Sequence, residues 1–442
     1  MMTRALGAAR YGSVLTFALA GLICGTFTVR LPALANRLQL TESSVGVALL
    51  CWGLGALLTM QLMRVVMARA GSRGVLRVAA PLCAASLVLV AVAPSFPTVV
   101  AAATLFGMAF GVVDVGMNAQ GSTVEQAYGR PLMSGMHAGW CMGAITAGLL
   151  GTAAIAAGLS FTAHLVIIAL VTLPASLAIG RTYLPEPATR AAGGVPGAAA
   201  RSDARDTSGA RGRMPGIVYL LGAITFGAFM IEGVVADWNG LYLLGTLGAP
   251  ESVAALGYPV FEAGMLAARL SGDRLRDRYG ARGLIVTSGA AAAATFLLVI
   301  AAPSAPLAVS GMFFVGLSVA TISPMALSLA GTATDRPGPA IAQAGAMGYA
   351  GLLLGPVVVG FLSAAASLRA ALGIAVALGL LVAVAGRFLP SFRGTAGPPA
   401  GYARPHGLGG PAGNTAGDAA GKTAGRTAAD GGEAPEHLPV AA

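Results

Sequence analysis

Charge is what this 442-residue chain has least of. Aspartate, glutamate, lysine and arginine together make up 10% of it, where soluble domains carry about 25%. A chain of this length would otherwise divide into two or three soluble domains, each needing a charged coat. The charges for such coats are missing, while 56% of the residues are hydrophobic and the mean hydropathy is +0.77. Lipid is therefore the solvent expected for most of the chain.

Other scarcities exclude particular chemistries. Lysine occurs once, as Lys422, in a sequence with 27 basic residues, so neither a nucleotide-driven pump nor a membrane-buried Schiff base is encoded. The run Gly417 to Thr423 imitates a phosphate loop, but it has one residue too few between its glycines and no strand or helix pattern beside it. The four cysteines, Cys24, Cys51, Cys83 and Cys141, fall inside apolar runs without disulfide or zinc spacing, and read as small hydrophobes. With four histidines, no His-Glu-x-x-His motif and no assignable Ser/His/Asp set, the expectation is a non-enzyme without cofactor or metal.

What is there is a series of twelve apolar runs, each about 20 residues long. They fall near 11–34, 45–67, 75–93, 98–118, 134–157, 161–180, 216–240, 252–271, 283–302, 307–330, 341–362 and 369–389. Short turns such as Pro94-Ser95-Phe96-Pro97, Gly158-Leu159-Ser160 and Pro303-Ser304-Ala305-Pro306 separate them. The first run is too long for a cleaved signal and has no polar cleavage region, so it reads as a retained helix.

With the N-terminus placed in the cytoplasm, 24 of the 27 basic residues lie on the inner side, leaving Arg30, Arg37 and Arg369 near outer ends. This is the positive-inside bias, and it accounts for the basic net charge of +10 without any nucleic-acid partner. The expected organisation is an N-terminal six-helix bundle over 1–184, a cytoplasmic linker over 185–215 and a second bundle over 216–390. A disordered cytoplasmic tail over 391–442 follows, Gly/Ala/Pro/Thr-rich and poor in large apolar residues.

The two halves repeat one another. The connection after the second run contains Arg69-Ala70-Gly71-Ser72-Arg73, and that after the eighth contains Asp273 and Asp277 followed by Arg278-Tyr279-Gly280-Ala281-Arg282. A turn glycine flanked by arginines can clamp the ends of neighbouring helices. The fifth run carries Gly139, Gly143, Gly148 and Gly151; the eleventh carries Gly348, Gly351, Gly355-Pro356 and Gly360. Small residues at such spacing permit close helix approach.

On these motifs, over about 380 residues, the chain resembles the major facilitator superfamily. The Asp-Arg-x-Gly-x-Arg signature is present in its second-half copy, whereas Ala68 stands where the first-half copy would have its aspartate. The stretches Asp114-Val115-Gly116-Met117-Asn118-Ala119-Gln120, Gly129-Arg130-Pro131-Leu132-Met133-Ser134-Gly135-Met136-His137, Glu232-Gly233 through Asp237-Trp238 and Gly348-Tyr349-Ala350-Gly351 are similar to a narrower bacterial subgroup. That subgroup includes rhizopine-associated membrane proteins and is distantly like sugar permeases. The resemblance implies an all-α membrane protein of twelve helices in two six-helix bundles.

Charged residues inside spans are costly to insert, so each should have a partner or a watery cavity. Gly107, Gly111, Asp114, Asn118 and Gly121 share one helical face, polar or small throughout, as expected of a helix lining a cavity. An antiparallel fifth helix would bring His137 to the level of Asp114 and Asn118, as a proton or substrate site or as a structural cluster. Glu125 and Arg130 read as a structural pair.

Glu232 is the best single proton-site candidate, because its carboxyl would lose water at that depth. Asp237 lies nearer the outer face, with Trp238 as an interfacial anchor. Helices one and seven are symmetry-related in the superfamily, and the resemblance suggests Arg30 meeting Glu232 or Asp237. Glu262 sits mid-span with Arg269 seven residues on, on the same face. Tyr349, Gln343 and Trp52 are further cavity candidates, with core packing as the alternative.

The expected function is solute transport by alternating access, proton-coupled, by a monomer in the inner membrane with both termini cytoplasmic. A sugar or cyclitol is the first substrate class. Drug or metabolite efflux, and a non-transporting sensor or scaffold on the same fold, are the alternatives.

Overall fold

A computed structural model describes residues 2–129, 132–185, 214–334 and 336–390. Most of the expected linker and all of the expected tail lie outside these, as do Arg130 and the side chains of Asp273 and Asp277.

Twelve helices are long and apolar enough to cross a membrane. They are α1 (Arg4–Leu38), α2 (Glu42–Met63), α3 (Val65–Val92), α4 (Phe96–Tyr128), α5 (Met133–Ala156) and α6 (Phe161–Ile179), then α7 (Gly216–Thr246), α8 (Glu251–Gly272), α9 (Arg278–Ala301), α10 (Ala305–Thr332), α11 (Pro337–Ala365) and α12 (Leu368–Arg387). Each corresponds to one apolar run of the sequence. The helix ends reached through α2–α3, α8–α9 and the N-terminus of α1 share the arginines and define an arginine-rich face; the other ends define the opposite face.

The repeated connections have the same backbone. Between α2 and α3 the chain turns at Gly71 (φ 65°, ψ 168°), and between α8 and α9 at Gly280 (φ 68°, ψ 159°). That region is open essentially to glycine alone, which is why the two motifs share it. An arginine clamp occurs in each half, made in the second by Arg282 of the flanking pair but in the first by Arg77, which lies beyond the Arg69-to-Arg73 motif. Arg77 Nε donates to the Gly180 carbonyl at the end of α6 (2.8 Å), and Arg282 Nη2 donates to the Arg387 carbonyl at the end of α12 (2.7 Å). Each satisfies a carbonyl that its helix leaves without a partner and places positive charge at the negative end of the helix dipole.

Glycine seams bind each half internally and then bind the halves together. In the first half, Gly139 leaves room for Val14 and Gly143 for Ala18, so that α5 lies directly on α1. In the second half, Gly351 receives the Phe226 backbone and Gly355 that of Met230, so that α11 lies on α7. One glycine of each seam reaches across: Gly148 seats Pro259 of α8, and Gly360 faces the Glu42 carbonyl and Gly46 of α2. Without a hydrophobic drive in lipid, such close packing is what holds helices together.

All of these cross-half contacts lie toward the opposite face. Exposure runs the other way: on α1, Tyr11 is 66% and Leu15 51% exposed, whereas Phe27 and Arg30 are buried. On α7, Tyr219 is exposed and Trp238 is fully buried. The halves therefore meet closely at the opposite face. Trp238 packs its ring against Gly360 inside this closure, which corrects the expectation of an interfacial anchor.

Candidate functional site

The charged groups buried between the halves fall at two levels. At the opposite face, α1 breaks at Arg30, whose side chain is 3% exposed. Its guanidinium pairs with Glu251 at the start of α8 (3.6 Å) and donates to the Leu159 carbonyl (3.4 Å). This overturns the pairing of Arg30 with Glu232 or Asp237. Glu232 lies about 24 Å along α7 by helical rise, whereas Glu251 opens the first turn of α8 at the same face as Arg30. It is the one ion pair between oppositely charged side chains among the described residues, and it joins the two halves.

Near mid-depth the site is built from both halves. Asp114 of α4 accepts a hydrogen bond from the Tyr349 hydroxyl of α11 (3.1 Å), and Asn118 Nδ2 donates to the Asp114 carbonyl (2.9 Å) and carboxylate (3.3 Å). The rest of the expected polar face of α4 is used differently. Gly107 and Gly111 are filled by the backbone of α2 around Trp52 and Ala56, and Gly121 lies against Met133 and Met136. The face is half packing seam and half site, since glycine serves close approach as readily as it serves a cavity wall.

His137 is not brought to Asp114 or Asn118 by any hydrogen bond among the described residues. Its Nδ1 lies 3.0 Å from the Met133 carbonyl, and its ring rests on Phe17 (centroids 4.9 Å apart). Glu125, whose expected partner Arg130 lies outside the described residues, instead accepts from the backbone N–H groups of Leu132 (2.6 Å) and Met133 (2.9 Å). It thus caps the start of α5, where free N–H groups favour an anion.

Arg269, expected on the face of Glu262 and also counted among the inner-side cations, lies inside α8 three residues from its end and donates from Nη1 to the Cys141 sulfur of α5 (2.8 Å). Cys141 is therefore more than a small hydrophobe. Arg269 is also the cation that acts on both Glu232 and Glu262. Glu232 faces Ser323 of α10, whose hydroxyl makes no hydrogen bond of ordinary geometry. Glu262 is 4% exposed; Tyr258 and Cys141 face it, and its Oε2 has no hydrogen-bond partner. Asp237 stands apart, toward Cys24 of α1.

These contacts close into a circuit. Tyr349, bound to Asp114, stands edge-on to Phe229 (5.9 Å), and Phe229 lies one turn before Glu232 on α7. Glu232 and Glu262 share Arg269, and Arg269 holds Cys141, the neighbour of Trp140. Trp140 meets Phe110 (5.8 Å), which stacks on Trp52 (5.5 Å) and lies one turn before Asp114. The circuit passes from the first half to the second and back. Acids and aromatic rings from both halves thus converge near mid-depth, where acids in excess of arginine can hold a proton.

Of the sequence candidates, then, Asp114, Asn118, Tyr349, Glu232 and Glu262 stand on or beside this circuit. His137, one turn before Cys141 on α5 and facing Arg269, lies beside it as well; Arg30 and Asp237 do not. Of the loop candidates, Gly71, Gly280 and Arg282 have the roles described above; Arg69 is exposed, Arg73 Nε is buried without a partner, and Arg278 covers the Tyr279 ring (5.5 Å).

Comparison with known proteins follows the same outline. The Major Facilitator Superfamily model matches residues 13–342. The transporter y4wD of Sinorhizobium fredii is 33% identical over 376 residues, 83% of this chain and 94% of that one. The membrane protein MosC of Rhizobium meliloti is 29% identical over 378 residues, 85% of this chain and 89% of its own. Among solved structures, a D-xylose–proton symporter superposes with a TM-score of 0.69 at 17% identity, covering 87% of this chain and 98% of its own.

Proposed function

The chain belongs to the major facilitator superfamily and is a multi-pass membrane transporter; from that premise we propose that it is a secondary active carrier, coupled to protons, for a small polar solute of sugar or cyclitol size. The observation that supports the coupling is that one arginine, Arg269, faces two carboxylates, the buried Glu262 and the half-buried Glu232, without forming an ion pair with either. Burying an uncompensated charge is costly, so a proton or a ligand cation must balance the second acid. In this reading Asp114 and Tyr349 report occupancy between the halves, with Asn118 holding Asp114 in place. His137 serves as a secondary proton group on α5, and Asp237 as an acid on the route to the opposite face.

Residues 1–184 and 216–390 act as the two rocking bundles, and residues 185–215 tether them. Closure at the opposite face rests on Arg30–Glu251 and on the glycine contacts Gly148–Pro259 and Gly360–Gly46. The arginine connections, with Asp273 and Asp277 beside Arg278, stay on the cytoplasmic side of the inner membrane, as do both termini, and a monomer suffices because each half supplies the other's partner.

Purified protein in proteoliposomes tests this directly. Under an imposed pH gradient a sugar or cyclitol should accumulate, with Glu232→Gln and Asp114→Asn defective. If no solute in such a panel moves and both variants behave as the parent, proton-coupled transport is wrong. A reporter or cysteine placed after residue 390 and labelled from each side tests the orientation separately.

A further inference from the structure

His164 lies in the first turn of α6, just after the Ser160 hydroxyl that accepts from the Ala163 N–H (3.1 Å). It is 3% exposed, and neither of its ring nitrogens has a hydrogen-bond partner. Native proteins rarely bury an imidazole in this way, because each unmade bond carries the cost of its lost hydration. The cation that acts on the ring is Arg30. Gly151 of α5 borders both, since a Cβ there would stand 2.7 Å from Val29 Cγ1 and 3.8 Å from His164 Cε1. Arg30 reaches the Leu159 carbonyl just before α6, while its Nε and Nη1 make no hydrogen bond. Its link to the second half is the 3.6 Å pair with Glu251.

We infer that His164 is a proton-operated latch on this closure: a proton on its ring releases Arg30 from Glu251 and opens the opposite face. The inference rests on the alternating-access reading and names how one of its gates is regulated.

The surroundings set the direction. A protonated ring places a second positive charge beside Arg30, at the positive end of the α6 dipole, with no acceptor for either N–H. The neighbouring helix ends of the first half offer no acid: α3 over 84–92, α4 over 96–106 and α5 over 142–156 contain no ionisable side chain. Arg37, the other cation near the start of α6, is engaged by the Ala91 and Ala93 carbonyls, the Thr162 hydroxyl and the Phe161 ring. The two cations then have one carboxylate between them, Glu251. When the halves part, water reaches the ring and the guanidinium, and the repulsion is screened. Protons therefore bind the open face better than the closed one, and by linkage acid favours opening. On the proposed orientation that face meets the outside, the side from which a proton is driven.

The experiment uses the full chain in lipid nanodiscs, spin-labelled at Asn36→Cys and Ala366→Cys, exposed positions of the two halves at the opposite face. The native cysteines lie within spans, three of them buried. From pH 8 to pH 5.5 the ratio of long to short label distances should rise about tenfold, the response of one titrating proton over the histidine range. His164→Gln should keep the short distance across that range while melting as the parent does, and His164→Phe is the second neutral variant should the amide fail to fold. Glu251→Gln should favour the long distance already at pH 8, because Arg30 loses its partner.

The inference is overturned if the parent distances ignore pH, if a folded neutral variant keeps the full response, or if Glu251→Gln leaves the face closed. A response kept by the neutral variants would belong to the mid-depth acids. Proteoliposomes separate this inference from the transport reading. A sugar or cyclitol accumulating under a pH gradient, with label distances that ignore pH, sinks the latch and leaves transport standing. A latch that responds while no solute moves, with Glu232→Gln and Asp114→Asn like the parent, sinks the transport reading instead.

Discussion

The two halves of this molecule are alike in how they are built and unlike in what they carry. Each has a glycine turn on the arginine-rich face, an arginine holding the end of its sixth helix, and a glycine seam that lays its fifth helix on its first. The site breaks that likeness. The first half brings Trp52, Phe110, Trp140 and a single acid, Asp114; the second brings Glu232, Glu262 and Arg269. Packing constraints act on each half in the same way, so the scaffold repeats, whereas a solute between the halves has two different sides to be recognised.

The largest expected effect breaks the shared scaffold. Gly143→Leu and Gly351→Leu each drive a side chain into a helix backbone, and both should abolish the folded peak in size-exclusion chromatography. If one half tolerates its leucine, the seams are not equivalent. Next comes the division of chemistry. Glu232→Gln should reduce proton-driven accumulation by about 100-fold while solute exchange at equal pH survives, and Phe110→Ala should instead raise the half-saturation concentration about tenfold and leave coupling intact. Flux assays with and without a gradient distinguish the two.

A smaller effect, matched between halves, is expected at the turns. Gly71→Ala and Gly280→Ala place a Cβ where the backbone is open essentially to glycine, at a cost of about 1–3 kcal/mol each in thermal unfolding. The smallest is at the clamps: Arg77→Ala and Arg282→Ala should each cost about 1 kcal/mol or less, because an exposed helix end finds water in place of the guanidinium.

The scaffold was readable in the sequence because it is written in local patterns. Twelve apolar runs, the arginine sidedness and the paired glycine motifs each follow from residues close in the chain. The site depends on which helices face one another, and there the reading succeeded only where a residue was costly enough to stand out. Asp114, Glu232 and Glu262 were conspicuous as acids in lipid. Arg269 was placed on the face of Glu262, but its bond to Cys141 of α5 follows from helix packing that no local pattern records. Arg30 was paired with the wrong acids because Glu251 opens a helix and reads as a cap. Among the aromatic residues Trp52 was a cavity candidate, whereas Phe110 and Trp140 had no distinguishing signal among other apolar residues.

The Arg30–Glu251 pair has an electrical consequence. Moving one elementary charge through the full membrane potential is worth about 2.3 kcal/mol per 100 mV. Arg30 belongs to the first half and Glu251 to the second, so in the proposed alternating-access cycle a positive and a negative charge separate at nearly the same depth when the opposite face opens. Their contributions cancel, and that step of the cycle carries almost no current. Voltage sensitivity must then enter at mid-depth, where the acids outnumber their arginine, and steady-state currents there would count the charge moved per turnover.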